Sequence, residues 1–204
     1  MWLALATFIP AATLIVLVPG PDTLIVVRSI VRRGRAHGWA TAAGVLTGLA
    51  VWAGVAALGL AAVLRASEYA YNALRIAGAC YLVFLGVQSL RSLRRHEQGD
   101  HLDRRSILGT GYTAGLVCNL LNPKVGVFFV TFLPGFVPDG YPVGATSLLF
   151  GAIFLLLGLL YFVVLLAFAA RLTAWMRTPR VRRRLDAVTG AVLIGFGVRL
   201  GTET

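Results

Sequence analysis

Residues 16–27 read Val16-Leu17-Val18-Pro19-Gly20-Pro21-Asp22-Thr23-Leu24-Ile25-Val26-Val27. Two prolines and a glycine cut an apolar run, which then resumes behind a carboxylate. A second cut has a parallel build: Asn119-Leu120-Leu121-Asn122-Pro123-Lys124, followed by Val125-Gly126-Val127-Phe128-Phe129. Pro21 and Pro123 lie 102 residues apart.

The surroundings of these cuts set the solvent. The chain has 204 residues, 58% hydrophobic and 13% charged, with a mean hydropathy of +0.80. A soluble domain is nearer about 45–50% apolar and about 25% charged. Six bilayer spans of about 20 residues would use roughly 120 residues, close to the whole apolar share. The expected fold is therefore all-α and polytopic. The spans are placed at roughly Leu3–Val27, Gly38–Leu64, Tyr69–Leu90, Tyr112–Leu133, Gly144–Ala170 and Leu185–Leu200. The N-terminal run lacks a basic leader and is too long for the core of a signal peptide, so it reads as the first span.

The net charge of +11 would suggest nucleic acid in a soluble protein. Here the cations cluster between apolar runs, so no nucleic-acid partner is expected. Arg28, Arg32, Arg33 and Arg35 fall in the first loop. Arg91, Arg94, Arg95, Arg104 and Arg105 fall in the third, and Arg171, Arg177, Arg180, Arg182, Arg183 and Arg184 in the fifth. These loops hold 15 of the 19 basic residues. The positive-inside rule puts them in the cytoplasm and both termini outside. The fifth-loop arginines also suit anionic lipid headgroups, and Trp2 and Trp39 suit an aromatic belt.

The chain is expected to form one transmembrane domain, 1–204. A first repeat covers about 1–92, a cytoplasmic linker about 93–110 and a second repeat about 111–204. Three spans per half force the second half to insert upside down. Inverted repeats whose first helix is interrupted by Gly or Pro mark secondary transporters, with the binding site between the breaks.

Each break has its own chemistry. Pro19 and Pro21 carry no N–H, so carbonyls near Ile15 and Leu17 lose their helical partners. Gly20 lets the chain turn. Pro21 suits the first position of a new half-helix, which sets Asp22 in its first turn, where the dipole favours an anion. In the fourth span Asn122 suits the N-cap and Pro123 the first helical position. Lys124 then stands at the unfavourable end of the dipole. It is the chain's lone lysine, and a charge at mid-membrane costs about 2.5–3.5 kcal/mol on insertion scales. Asp22, the sole acid well inside a span, is the expected compensating group. Asn119 and Asn122 add polar capacity. A cation with two half-helix N-termini suits a carboxylate, while Asp22 and freed carbonyls suit an ammonium group. The combination fits a zwitterion and supplies a protonatable group for coupling.

These motifs resemble the LysE/RhtB family of amino-acid exporters over essentially the full chain. The resemblance rests on Pro19–Asp22, on Gly44 with Gly48 in span two, on Gly78-Ala79-Cys80-Tyr81-Leu82-Val83-Phe84-Leu85-Gly86, and on Asn119–Lys124. It implies a six-span bacterial inner-membrane carrier exporting amino acids against protons. It also implies site residues Pro19, Gly20, Pro21, Asp22, Asn119, Asn122, Pro123 and Lys124. The short basic linker points to homoserine, threonine or leucine rather than lysine as cargo. No cofactor, metal or enzymatic activity is expected. Assembly with further copies of the chain is left open.

Two other readings compete with this one. Cys80 and Cys118 both fall within spans, as in a thiol–disulfide electron carrier, but neither has a CxxC partner or a charged neighbour to lower its pKa. An inorganic-ion exporter would need inward-facing carboxylate, His or Cys ligands, and the spans supply few. Gly44 and Gly48 form a GxxxG pair suited to close helix packing. Span five, with its Leu/Phe-rich stretch Leu155–Phe168, is expected to face lipid. Tyr161 is its polar handle, and Tyr81 and Tyr161 read as packing residues or substrate contacts.

Overall fold

The computed structural model describes residues 1–66, 68–92 and 110–169, with scattered helical positions between 184 and 202. Among the described residues every regular element is helical: α1 (Trp2–Leu17), α2 (Pro21–Arg33), α3 (Arg35–Ala66), α4 (Glu68–Ser92), α5 (Tyr112–Leu120), α6 (Pro123–Val127) and α7 (Val143–Ala167). After α6 the helix widens through a π-helical turn, Phe128–Phe132, and then tightens into a 3-10 turn, Leu133–Phe136.

Two helical stretches, Arg35–Leu58 and Val143–Ala167, are each long and apolar enough to cross a bilayer. Two further pairs qualify jointly and are bent. α1 and α2 meet at 45°, and α5 meets the Pro123–Phe136 stretch at 53°. The bends fall at the two proline breaks because the missing N–H groups end the first helix and a new one starts at the proline. The sixth expected span is described only at scattered helical positions between 187 and 198, and the expected linker, apart from position 110, lies outside the described residues.

Helix ends differ from the hydropathy reading. Arg28, Arg32, Arg33 and Arg35 do not form a loop: α2 runs to Arg33 and α3 starts at Arg35, so Gly34 alone separates them. Gly34 has φ 82°, a left-handed conformation glycine adopts without strain. Hydropathy reports where a membrane ends, while backbone hydrogen bonding carries the helix further.

α3 is central. Gly44 on α3 lies against the backbone of Tyr112 and Leu116, and Gly115 on α5 against Thr41 and Val45. The Gly111 N–H also donates to Thr41 Oγ1 at 3.0 Å. These matches run in step, so α3 and α5 are parallel. Against α7 the order reverses: Gly38 faces Leu166, Leu49 faces Gly158 and Ala53 faces Gly151. α3 and α7 are therefore antiparallel, held close by small residues as membrane helices commonly are.

Span five is not simply lipid-facing. Phe150, Phe154, Phe162, Leu165 and Leu166 are buried, while Leu148, Leu156, Leu160 and Val164 are exposed. Phe150 stacks on Phe8 at 4.5 Å, and Phe154 meets Phe128 at 4.6 Å. This aromatic layer packs α7 against α1 and against the stretch beyond the second break.

Candidate functional site

Both breaks deliver their polar groups to one place. α1 ends at Leu17, and Val18 is extended at φ −69°, ψ 110°. A continuing helix would bond Ile15 O to the N–H of residue 19, which is Pro19 and has none. Val18 O is turned out of the helix by its extended backbone. The Lys124 ammonium takes both carbonyls, donating to Ile15 O at 2.8 Å and to Val18 O at 2.9 Å. Gly20 passes beside this ammonium: a Cβ there would lie 4.0 Å from Lys124 Nζ.

α2 starts with Pro21 at its first position and Asp22 in its first turn. The Asp22 carboxylate takes side-chain partners across the interface between the breaks. Asn119 Nδ2 and Asn122 Nδ2 each donate to Asp22 Oδ2 at 2.9 Å. Asn119 and Asn122 are both buried. Asn122 also caps α6, accepting the Lys124 N–H on Oδ1 at 3.2 Å. One asparagine thus orders the half-helix and grips the carboxylate. Asp22 Oδ1 and Asn119 Oδ1 are buried with no hydrogen-bond partner.

The compensation of Lys124 differs from the sequence expectation. Among the described residues no salt bridge joins Asp22 to Lys124. The ammonium is met by backbone carbonyls, the carboxylate by two amides. Sequence reading anticipated the freed Ile15 carbonyl. Its second expected acceptor, near Leu17, is in fact Val18.

Asp22, Asn122, Lys124 and Gly20 line a small open cavity of about 50 Å³. Its far wall is apolar, built from Val45, Leu49, Val125, Phe154 and Phe162. Thr23 and Tyr161 also line it and hydrogen-bond to each other at 3.1 Å, tying α2 to α7. Thr23 carries no sequence signal beyond its place after Asp22, and the sequence around Tyr161 favours packing over a substrate contact.

Other expected residues take supporting places. Pro19, Pro21 and Pro123 shape the breaks. Gly48 lies against Asn119, since a Cβ there would come within 2.5 Å of Asn119 Oδ1. Trp52 Nε1 donates to Asn119 O at 3.4 Å. Cys118 lies beside Asp22, whereas Cys80 is exposed on α4; both thiols are free.

Long apolar helices, with two bent pairs whose breaks bring a carboxylate, an ammonium and free carbonyls to one cavity, are the build of a membrane translocator. The profile of the LysE type translocator family matches residues 13–204, and the chain belongs to that family. It is a multi-pass membrane protein of a class that translocates rather than catalyses. An uncharacterized membrane protein of Pseudomonas aeruginosa is 36% identical, over 97% of this chain and 94% of the relative. A leucine efflux protein of an Enterobacter species is 32% identical, over 96% and 94%. An uncharacterized membrane protein of Bacillus subtilis is 29% identical, over 97% and 98%. No solved structure matches the chain.

Proposed function

We propose that this protein exports neutral amino acids, aliphatic ones such as leucine or small ones such as homoserine and threonine, by proton antiport across the bacterial inner membrane. One observation carries the reading: Asp22 and Lys124, from the two broken helices, line one cavity whose remaining wall is mostly apolar. The charged groups suit the two ends of a zwitterion, and the Val45, Leu49 and Phe162 wall suits an uncharged side chain. The efflux relative named for leucine supports the same choice.

The architecture proposed for this cycle is six spans in two inverted halves, about 1–92 and 111–204, with both termini outside. The parallel pairing of α3 with α5 and the antiparallel pairing of α3 with α7 agree with spans two, four and five of that order. Pro19, Gly20, Pro21 and Pro123 open the helices, Asn119 and Asn122 hold Asp22, and Asp22 and Lys124 meet substrate and proton.

The deciding experiment loads cells with amino-acid dipeptides and measures which free amino acids leave, with and without this protein. Faster leucine release that a protonophore abolishes is the expected result. Unchanged release of every amino acid tested overturns the reading.

A further inference from the structure

The Lys124 ammonium sits where a substrate ammonium would be bound best. Ile15 O and Val18 O are carbonyls freed by the first break, and both point at Nζ. Asp22 lines the same cavity, and both asparagine amides converge on its Oδ2, leaving Oδ1 buried without a hydrogen-bond partner. The two carbonyls accept two of the three N–H donors of a primary ammonium, and Asp22 places a negative charge in the same cavity, though not in direct contact with the ammonium seated there. Nonhelical carbonyls at membrane depth must be occupied by protein, water or ligand.

We propose that Ile15 O and Val18 O form the substrate-ammonium subsite, with the Asp22 charge beside it in the same cavity, and that Lys124 is a tethered cation that fills it when the carrier is empty. This rests on the amino-acid reading above and adds a mode of selection to it. An incoming amino acid places its own ammonium on the two carbonyls. The displaced Lys124 ammonium turns to the substrate carboxylate, so charge in the cavity stays balanced. A ligand with an ammonium but no carboxylate would strand the lysine, and one with a carboxylate alone would leave the carbonyls bare. The zwitterion is selected because the site already holds one of the two charges itself.

The test compares leucine with isopentylamine, which is leucine without its carboxylate, for binding to the purified, nanodisc-reconstituted protein. Wild-type protein should bind leucine and not the amine. Lys124→Met should reverse this, weakening leucine and strengthening isopentylamine, each by about 10–100-fold, as expected for a hydrogen-bonded charge gained or lost. Lys124→Ala covers the case in which the methionine variant folds poorly. Millimolar isopentylamine should raise its melting temperature and leave that of the wild type unchanged. If wild-type protein binds leucine but neither variant responds to the amine, the tethered-cation proposal is overturned while the amino-acid reading stands. If wild-type protein binds no amino acid, both fall.

Discussion

Gly86 of α4 and Gly190 meet at backbone distance: a Cβ on either would lie 2.8 Å from the carbonyl oxygen of the other. One helix face along, Ala79 and Gly197 repeat the contact, with a Cβ on Gly197 2.7 Å from Ala79 O. The order shows that the two helical stretches run antiparallel. Gly197 follows Gly86 by 111 positions, and Gly190 follows Ala79 by the same 111. Exchanging each residue for its counterpart therefore turns the first contact into the second, as a local two-fold axis requires.

Leucine at either glycine of the pair should be disruptive. Gly86→Leu and Gly190→Leu each place a branched side chain where backbone now stands, and overpacking of this kind costs about 1–3 kcal/mol. Both should lower the melting temperature in detergent. Gly54→Leu is the control, since nothing lies within 4 Å of a Cβ there. Equal melting temperatures for Gly54→Leu and Gly86→Leu would refute the close packing.

Gly48 should matter for transport without touching cargo. An added methyl meets Asn119 Oδ1 and Cβ at 2.5 and 2.8 Å, so it must push aside an amide that holds Asp22. Gly48→Ala is expected to reduce leucine efflux by about tenfold, the equivalent of one hydrogen bond to a charged group. Membrane abundance on an immunoblot should stay near wild type. Undiminished efflux would show that Asn119 can shift without consequence.

Much of this was legible in the sequence, for a local reason. A proline lacks an N–H wherever it stands, yet Pro10 lies inside the unbroken α1; the breaks are announced by local clusters, Pro19-Gly20-Pro21 and the cap Asn122 before Pro123, which need no tertiary information to read. The partners of Lys124 were not legible. A lone intramembrane cation and a lone intramembrane acid invite pairing on paper. Which oxygen a flexible lysine reaches depends on how two bent helices cross, and they cross so that Ile15 O and Val18 O are nearer. The π-helical turn at Phe128–Phe132 and the unbroken passage of α2 through Arg28 and Arg32 are likewise set by packing and hydrogen bonding, to which hydropathy is blind.

The Thr23–Tyr161 hydrogen bond joins α2 to α7 across the cavity wall. Tyr161→Phe and Thr23→Val each remove it while nearly preserving volume. Interhelical hydrogen bonds in membranes average about 0.6 kcal/mol, so each single change should lower stability by roughly that amount. The double variant should lose little more than either one. Fully additive losses in the four-way comparison of melting behaviour would mean that the two hydroxyls act separately.

Exchanging the two central charges separates a salt bridge from the arrangement seen here. Asp22→Asn and Lys124→Ala should each abolish most leucine efflux while the protein still reaches the membrane. If the two groups acted as an ion pair, Asp22→Lys combined with Lys124→Asp would restore function. The geometry argues the reverse. A lysine at 22 would face the Nδ2 donors of Asn119 and Asn122, and Asn122 cannot turn its amide without giving up the cap on Lys124 N–H. An aspartate at 124 would face Ile15 O and Val18 O, two acceptors with no proton to offer. Unlike a pair, each charge has a receptor of its own sign preference, so the double exchange should be as inactive as either single variant. Recovery of efflux to more than about a tenth of the wild-type rate, a gap of some 1.4 kcal/mol, would show that Asp22 and Lys124 act on each other directly.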